Sequence, residues 1–88
     1  MLEHSSKNIE TCVLVGVATP DLSKEKVREY LDELAFLVET AGGEAVKTYI
    51  QKLGRPDPRT FVGKGKLEEI NEYVEAAEIG TVVFDDEL

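Results

Sequence analysis

Residues Thr11–Ala18 have the sequence TCVLVGVA, and this continuous apolar run sets the fold class of the 88-residue chain. The run is too short for a helix, is rich in β-branched residues and lacks polar alternation, which is typical of a strand covered on both faces of a parallel sheet. Gly16, near the end of the run, would let a helix approach the strand closely. The sequence therefore predicts an α/β domain with this strand at its centre.

The segment after this strand has the pattern of an amphipathic helix. Asp21 or Ser23 can cap its first turn, and apolar residues then recur at spacings of three and four. The predicted buried stripe consists of Val27, Tyr30, Leu31, Leu34, Ala35, Val38 and Ala41. Phe36 and Leu37 widen this stripe, so we expect the helix to be covered on more than one side.

After a stop at Gly42-Gly43, the segment Glu44–Lys52 alternates between two kinds of side chain. The alternation predicts a half-exposed strand at a sheet edge. One face would carry Val46, Thr48 and Ile50, and the other Lys47, Tyr49 and Gln51. The strand, the helix and this second strand would form a right-handed β-α-β unit.

The second half of the chain repeats the helix and strand patterns after a long loop. Residues 66–77 predict a helix that Gly80 would end, and residues 81–84 predict a third, short buried strand. The buried stripe of this helix would be Leu67, Ile70, Tyr73, Val74 and Ala77. We therefore predict an α/β fold with a small three-stranded parallel sheet, β-α-β-loop-α-β, in the strand order 2-1-3. The helices would lie on both faces of that sheet.

The length of the chain bounds its domain organisation. Because 88 residues leave room for a single core, we assign residues 11–88 to one α/β domain. Residues 1–10 are polar and are expected to form a mobile N-terminal tail. A three-stranded sheet leaves both edge strands open, so we expect the isolated fragment to form a homodimer through an edge.

Composition excludes several kinds of site. Cys12 is the only cysteine and His4 the only histidine, so an internal disulfide, a Cys/His zinc site and a Ser-His-Asp or Cys-His catalytic set are not expected. We interpret Cys12 as a buried core thiol, and Asp85-Asp86-Glu87 as a solvated acidic turn in preference to a metal site. No apolar run approaches the roughly 20 residues of a membrane span, which predicts a cytoplasmic protein.

Residues 52–66, which we call the basic connection, concentrate positive charge on an acidic chain. This window carries five basic residues and one acid, a formal charge of +4, whereas the rest carries 5 basic and 17 acidic residues, a charge of −12. Pro56 and Pro58 favour extended backbone and would stiffen the first half of the window. Cations on a stiff loop predict contact with phosphate groups. The candidate rRNA- or anion-binding residues are Lys52, Arg55, Arg59, Phe61, Gly63, Lys64, Gly65 and Lys66.

The end of the basic connection invites comparison with a nucleotide-binding loop. A P-loop needs Ser or Thr after its lysine, but Lys66 is followed by Leu67, and Gly63-x-Gly65 has no third glycine. Two interpretations remain: anion binding at a helix N-terminus, or a sharp turn with solvated lysines. Phe61 could stack on a base or plug the core beneath the loop.

Two segments resemble a known family. Residues 55–66, RPDPRTFVGKGK, and residues 83–88, VFDDEL, are similar to the N-terminal domain of HflX-type GTPases. Gln51-Lys52, residues 13–17 and the glycine turn after residue 41 fit as well, so the resemblance covers nearly all of the chain from Thr11 onward. Neither segment is a nucleotide motif, but the two are specific in combination.

The resemblance implies a parent protein in which this domain precedes a helical hairpin and a Ras-like GTPase domain that binds GTP and Mg²⁺. We interpret the chain as ending before both, without a cofactor or catalytic residue of its own. Within such a parent, the domain would be a noncatalytic module that contacts rRNA of the large ribosomal subunit and modulates the GTPase. Two further hypotheses are ATP or GTP binding or RNA remodelling at residues 63–66, and packing of the loop on the parent's own GTPase domain.

Overall fold

The computed structural model of the chain describes residues 9–85. The elements are β1 (Thr11–Ala18), α1 (Lys24–Thr40), β2 (Glu44–Lys52), α2 (Lys64–Ala77) and β3 (Thr81–Asp85). The three strands form one parallel sheet in the order β2-β1-β3, which confirms the predicted class and topology. His4, most of the predicted tail, and Asp86 and Glu87 of the acidic run lie outside the described residues.

The central strand β1 supplies side chains to two cores, one on each face of the sheet. On one face, alternate residues of β1 pack with Ile70 of α2, and on the other face the intervening residues pack with Val27 and Leu31 of α1. The first set is Val13, Val15 and Val17, and the second is Cys12, Leu14 and Ala18. The helices therefore cover opposite faces, as predicted. Each fully buried valine or leucine contributes roughly 1.5–3 kcal/mol to folding.

Gly16 allows α1 to lie directly against β1. A methyl group added there would come within 2.6 Å of Val27 Cγ1 and 3.1 Å of Leu31 Cδ1. The first distance is shorter than real carbon contacts, so only hydrogen fits between this strand and this helix. The close approach predicted at Gly16 is confirmed.

A β-bulge in β2 changes one predicted side-chain direction. Cys12 pairs with Ala45 but Val13 pairs with Lys47, so Val46 is an extra residue in the ladder. As a result, Val46 packs in the same core as Tyr49. The assignment of Val46 to the face of Thr48 and Ile50 is therefore wrong, because strict alternation does not survive a bulge.

The start of α2 differs from the sequence prediction, and its predicted end at Ala77 is reached through a different stop residue. The helix begins at Lys64, two residues early, because the extended Gly63 serves as N-cap and Gly65 is accommodated inside the first turn. It ends at Ala77, and Glu78 adopts the left-handed conformation (φ 54°) expected of a terminating glycine. Gly80 is thus the wrong stop. Ala77, like Ala41 after α1, is exposed and does not belong to a buried stripe.

Between residues 9 and 85, neither helix has the length and apolar character needed to cross a membrane.

Candidate functional site

The basic connection lies at the edge of the sheet where the parallel strands end. It leaves β2 at Lys52 and enters α2 at Lys64, and the backbone amide of Leu53 still donates to the carbonyl of Ala18, at 2.8 Å, at the end of β1. Ligands of open α/β sheets bind at this carboxyl edge. The fold therefore places the candidate residues where such proteins present their sites.

The tip of the basic connection is a closed ring. Asp57 and Phe61 exchange two backbone hydrogen bonds, of 3.0 and 2.8 Å. Oδ1 of Asp57 also accepts from the amides of Arg59, at 2.8 Å, and Thr60, at 3.2 Å. These two bonds, with the Arg59 bond foremost, lower the pKa of the Asp57 carboxyl. The one acid of the window is therefore used to fold the loop that carries the cations.

The second half of the basic connection is anchored to the core. Val62 is completely buried, and its carbonyl accepts from the hydroxyl of Thr60 at 2.6 Å. The amide of Gly63 donates to Oε1 of Gln51 at 2.8 Å. That bond joins the end of β2 to the start of α2. The loop is thus fixed at its tip and at both ends.

Phe61 takes the core-packing role considered from the sequence, and stacking on a base stays a prediction for its exposed part. It packs against the α2-side core and lies 5.7 Å, edge to face, from the ring of Phe84. It also remains half exposed, with a left-handed backbone (φ 69°) that is uncommon for a bulky residue. Residues held in this sparsely populated region cluster at functional sites.

An open cavity of about 740 Å³ lies between the tip and the sheet edge. Its lining combines guanidinium groups, proline rings and two aromatic rings. The lining residues are Arg55, Pro56, Asp57, Pro58, Arg59, Thr60, Phe61, Leu67 and Phe84. Phosphate groups and flat aromatic rings are the groups such a lining can hold.

The five cations of the basic connection do not form one cluster. Arg55 and Arg59 line the cavity, and Lys64 is exposed at the start of α2. Lys52 is exposed too, but it borders a separate recess beside the start of α1. Lys66 Nζ lies 3.1 Å from Glu69 Oε1 and 5.8 Å above the ring of Tyr49, so it is held by contacts within the domain.

The N-terminus of α2 is electrostatically unbalanced. No side chain caps it and no acid lies in its first turn, where Lys64 and Lys66 lie close to the positive end of the helix dipole. Like charge at this end disfavours the helix, and a bound anion stabilises it by roughly 0.3–1 kcal/mol. A methyl group added at Gly65 would meet no atom within 4 Å, so this turn faces open space.

Cys12, the one cysteine of the sequence, is buried in the core. Burial, and then the nearby Glu10, raises the pKa of the Cys12 thiol, which keeps it protonated and unreactive. In residues 9–85, no three His, Cys, Asp or Glu side chains lie together in a way that could hold a metal ion.

Three residues of this site were missed by the sequence predictions. Asp57-Pro58 before a polar pair is a turn signal, so the role of Asp57 could have been found. The bond from Gln51 to Gly63 and the pairing of Phe84 with Phe61 depend on chain segments that only the fold brings together.

Comparison with known proteins places this chain among the N-terminal domains of GTPases. A family model described as GTP-binding GTPase N-terminal matches residues 28–88. The chain is 57% identical to the GTPase HflX of Flavobacterium psychrophilum over 88 residues, which is 100% of this chain and 21% of that protein. It is 44% identical to the GTPase HflX of Lacrimispora saccharolytica over 79 residues, 90% of this chain and 18% of the relative.

A third relative, the GTPase HflX of Alkalihalophilus pseudofirmus, is 35% identical over 88 residues, covering 100% of this chain and 21% of the relative. The chain thus spans about a fifth of the length of these curated relatives.

Proposed function

The chain belongs to the GTP-binding GTPase N-terminal family, as the N-terminal domain of an HflX-type GTPase, and we propose that it is a noncatalytic module that helps its parent bind the large ribosomal subunit. The observation that carries this proposal is the rigid presentation of cations on the basic connection. The closed ring from Asp57 to Phe61 holds Arg59 at a fixed tip. Because the loop is ordered before binding, association costs little conformational entropy.

The chemistry of the surface suits structured RNA. Arg55, Arg59 and Lys64 would contact phosphates, which supply affinity without reading sequence. The ring of Phe61, backed by Phe84, would stack on a base that is splayed out of a loop. The acidic remainder of the domain repels RNA, so binding would be confined to the basic connection.

The domain would also modulate the parent GTPase. GTP and Mg²⁺ would be bound by the catalytic domain, and the basic connection would pack on that domain when no ribosome is present. The rate of GTP hydrolysis with and without residues 1–88, measured in the absence of ribosomes, tests this part. Equal rates would exclude the packing role and leave direct ribosome contact as the function of the surface.

Ribosome affinity tests the main proposal. A full-length chimera, in which residues 1–88 replace the matching segment of the Flavobacterium psychrophilum protein, would carry R55Q, R59Q and K64Q together. Because three phosphates would no longer be neutralised, binding to large subunits should weaken on the order of tenfold or more at low salt. The matched control neutralises three exposed cations of α1 through K24Q, K26Q and R28Q. An equal decrease in both variants, or no decrease in either, would overturn the proposal.

A second candidate function is binding of an ATP or GTP phosphate at residues 63–66. The uncapped first turn of α2, with Lys64 beside it and open space at Gly65, favours this candidate. Nucleotide titration of the 88-residue chain, followed by amide NMR, should shift the signals of Gly63 and Gly65. The first turn of α1, which Ser23 caps, provides the internal reference. Unshifted glycine signals at millimolar nucleotide would reject this candidate.

A further inference from the structure

The outer face of α1 carries an apolar surface on the opposite side of the sheet from Phe61. Phe36 is 69% exposed and Leu37 61% exposed, more than the other exposed large hydrophobic residues between positions 9 and 85. They line an open cavity of about 780 Å³ with Glu29, Asp32 and Glu33. We call these five residues the α1 patch. The sequence predicted a helix covered on more than one side, yet in this domain the second side is open.

The charge of the α1 patch limits what can cover it. The three carboxylates lie three to eight positions before the apolar pair, so they flank it on the same helical face. Glu29 has one exposed ion pair, with Lys26 at 3.5 Å, which leaves the face acidic. A second copy docking through its own α1 patch would bring like charges together, which costs several kcal/mol. Charge complementarity instead favours an apolar surface flanked by lysine or arginine.

The position of β3 indicates where that surface comes from. Asp85, the last described residue, shares a small cavity with Tyr30, Glu33, Leu34 and Leu37. The carboxyl end of β3 therefore lies beside the α1 patch. The curated relatives are about five times as long as this chain, so a full-length protein of this family has further polypeptide that could supply a covering segment.

The sheet leaves room for such a segment. Helix α1 packs mainly on β1 and β2, while Val83 of β3 faces the same core and stays half exposed. A helix lying alongside α1 over β3 would cover Val83 and Leu37 together. Amphipathic helices commonly bind hydrophobic grooves in this way, through apolar side chains spaced three and four residues apart.

We propose that the α1 patch is the docking site for an amphipathic helix with lysine or arginine beside its apolar stripe, supplied by the same polypeptide in the full-length HflX-type protein. The proposal is independent of ribosome binding, since it uses the opposite helix and none of the cations of the basic connection.

Thiol labelling at the margin of the patch tests this proposal. Thr40→Cys places a thiol one turn beyond Phe36 and Leu37 without altering the α1 patch. Ala76→Cys, exposed on α2, is the control. Both variants would be labelled with a maleimide in the 88-residue chain and in the full-length chimera, and read by mass spectrometry of the labelled peptides. Docking at nine-tenths occupancy should slow labelling at position 40 about tenfold in the chimera, with position 76 unchanged. Equal rates at position 40 in both proteins would overturn the proposal.

Two further measurements identify the occupant. In the chimera, E29Q, D32N and E33Q together should restore fast labelling at position 40, whereas E68Q, E72Q and E75Q on α2 should not. Protection that persists after neutralising the α1 patch would contradict a basic partner. Protection that appears in the 88-residue chain as its concentration rises would assign the patch to a second copy instead.

Discussion

Two connections lead from a strand to a helix at the carboxyl edge of the sheet, and they differ in length and in how they begin the helix. Five residues join β1 to α1, and eleven join β2 to α2. Each contains a small ring closed by two backbone hydrogen bonds, between Thr19 and Leu22 in the first and between Asp57 and Phe61 in the second. A rigid turn of this kind therefore does not require the longer loop.

The short connection also completes its helix. Oγ of Ser23 accepts from the amide of Lys26 at 3.1 Å, and Glu25 lies in the first turn, where a negative charge is favourable. The long connection ends at Gly63, which has no side chain to cap α2. It is followed by Lys64, whose positive charge is unfavourable at the positive end of the helix dipole. The second half of the long connection contributes Val62 to the core, but its exposed tip and the uncapped start of α2 add no comparable packing. This difference supports the proposal that the exposed part of the basic connection contacts another molecule.

Substitution of alanine at Gly16 and at Gly65 should change the stability of the domain in opposite directions. Gly16→Ala forces a methyl group against Val27 and should destabilise the domain by about 1–3 kcal/mol. Gly65→Ala enters open space in a helical turn and should stabilise it by up to about 1 kcal/mol. Urea unfolding of both variants provides the measurement. A destabilised Gly65→Ala variant would show that the fold, and not a ligand, requires that glycine.

Exchanging the caps tests the helix starts. Ser23→Ala removes the cap of α1 and should cost about 1 kcal/mol of unfolding free energy. Gly63→Ser supplies a cap to α2 and should add a few tenths of a kcal/mol, because glycine is the weaker cap. Thermal unfolding compares the two. If Gly63→Ser also weakens binding of the nucleotide phosphate proposed for this turn, the absent cap is a feature of the site.

The smallest effect is local and depends on pH. The pKa of Asp57 is lower in the folded domain than in the unfolded chain, so its contribution to the ring is complete above the unfolded value and is lost as pH falls through the folded value. Amide hydrogen exchange at Arg59 and Thr60 should therefore accelerate in acid. Asp57→Ala should give fast exchange at neutral pH, and Asp57→Asn, which keeps an acceptor oxygen, should retain part of the protection. Equal protection in the native domain and in both variants would show that the Asp57 carboxylate does not protect these amides.

Sequence reasoning succeeded where one periodic pattern decides the outcome. The apolar run of β1 and the stripes of α1 and α2 predicted the strand order and the two-sided core, and Gly16 predicted the close helix. It failed at Val46, because a bulge depends on the partner strand, and at Glu78, which takes a conformation that glycine usually supplies.

The site was predicted less completely than the fold. The charges summed along the sequence identified the basic connection but could not distinguish between its five cations. Only the folded chain sets Lys66 against Glu69 and Tyr49, and directs Lys52 toward a different recess. The hydrogen bond between Gly63 and Gln51 likewise forms only because the folded β2-to-α2 connection brings these two residues together.

The salt dependence of ribosome binding tests whether the basic connection is the surface that contacts the ribosome. In the full-length chimera, the logarithm of large-subunit affinity would be measured against the logarithm of salt concentration. R55Q, R59Q and K64Q together should reduce the slope by about three, roughly one unit for each phosphate that the loop no longer neutralises. K24Q, K26Q and R28Q on α1 should leave the slope unchanged. The same slope for the native chimera and the basic-connection variant would contradict the claim that this loop is the contact surface.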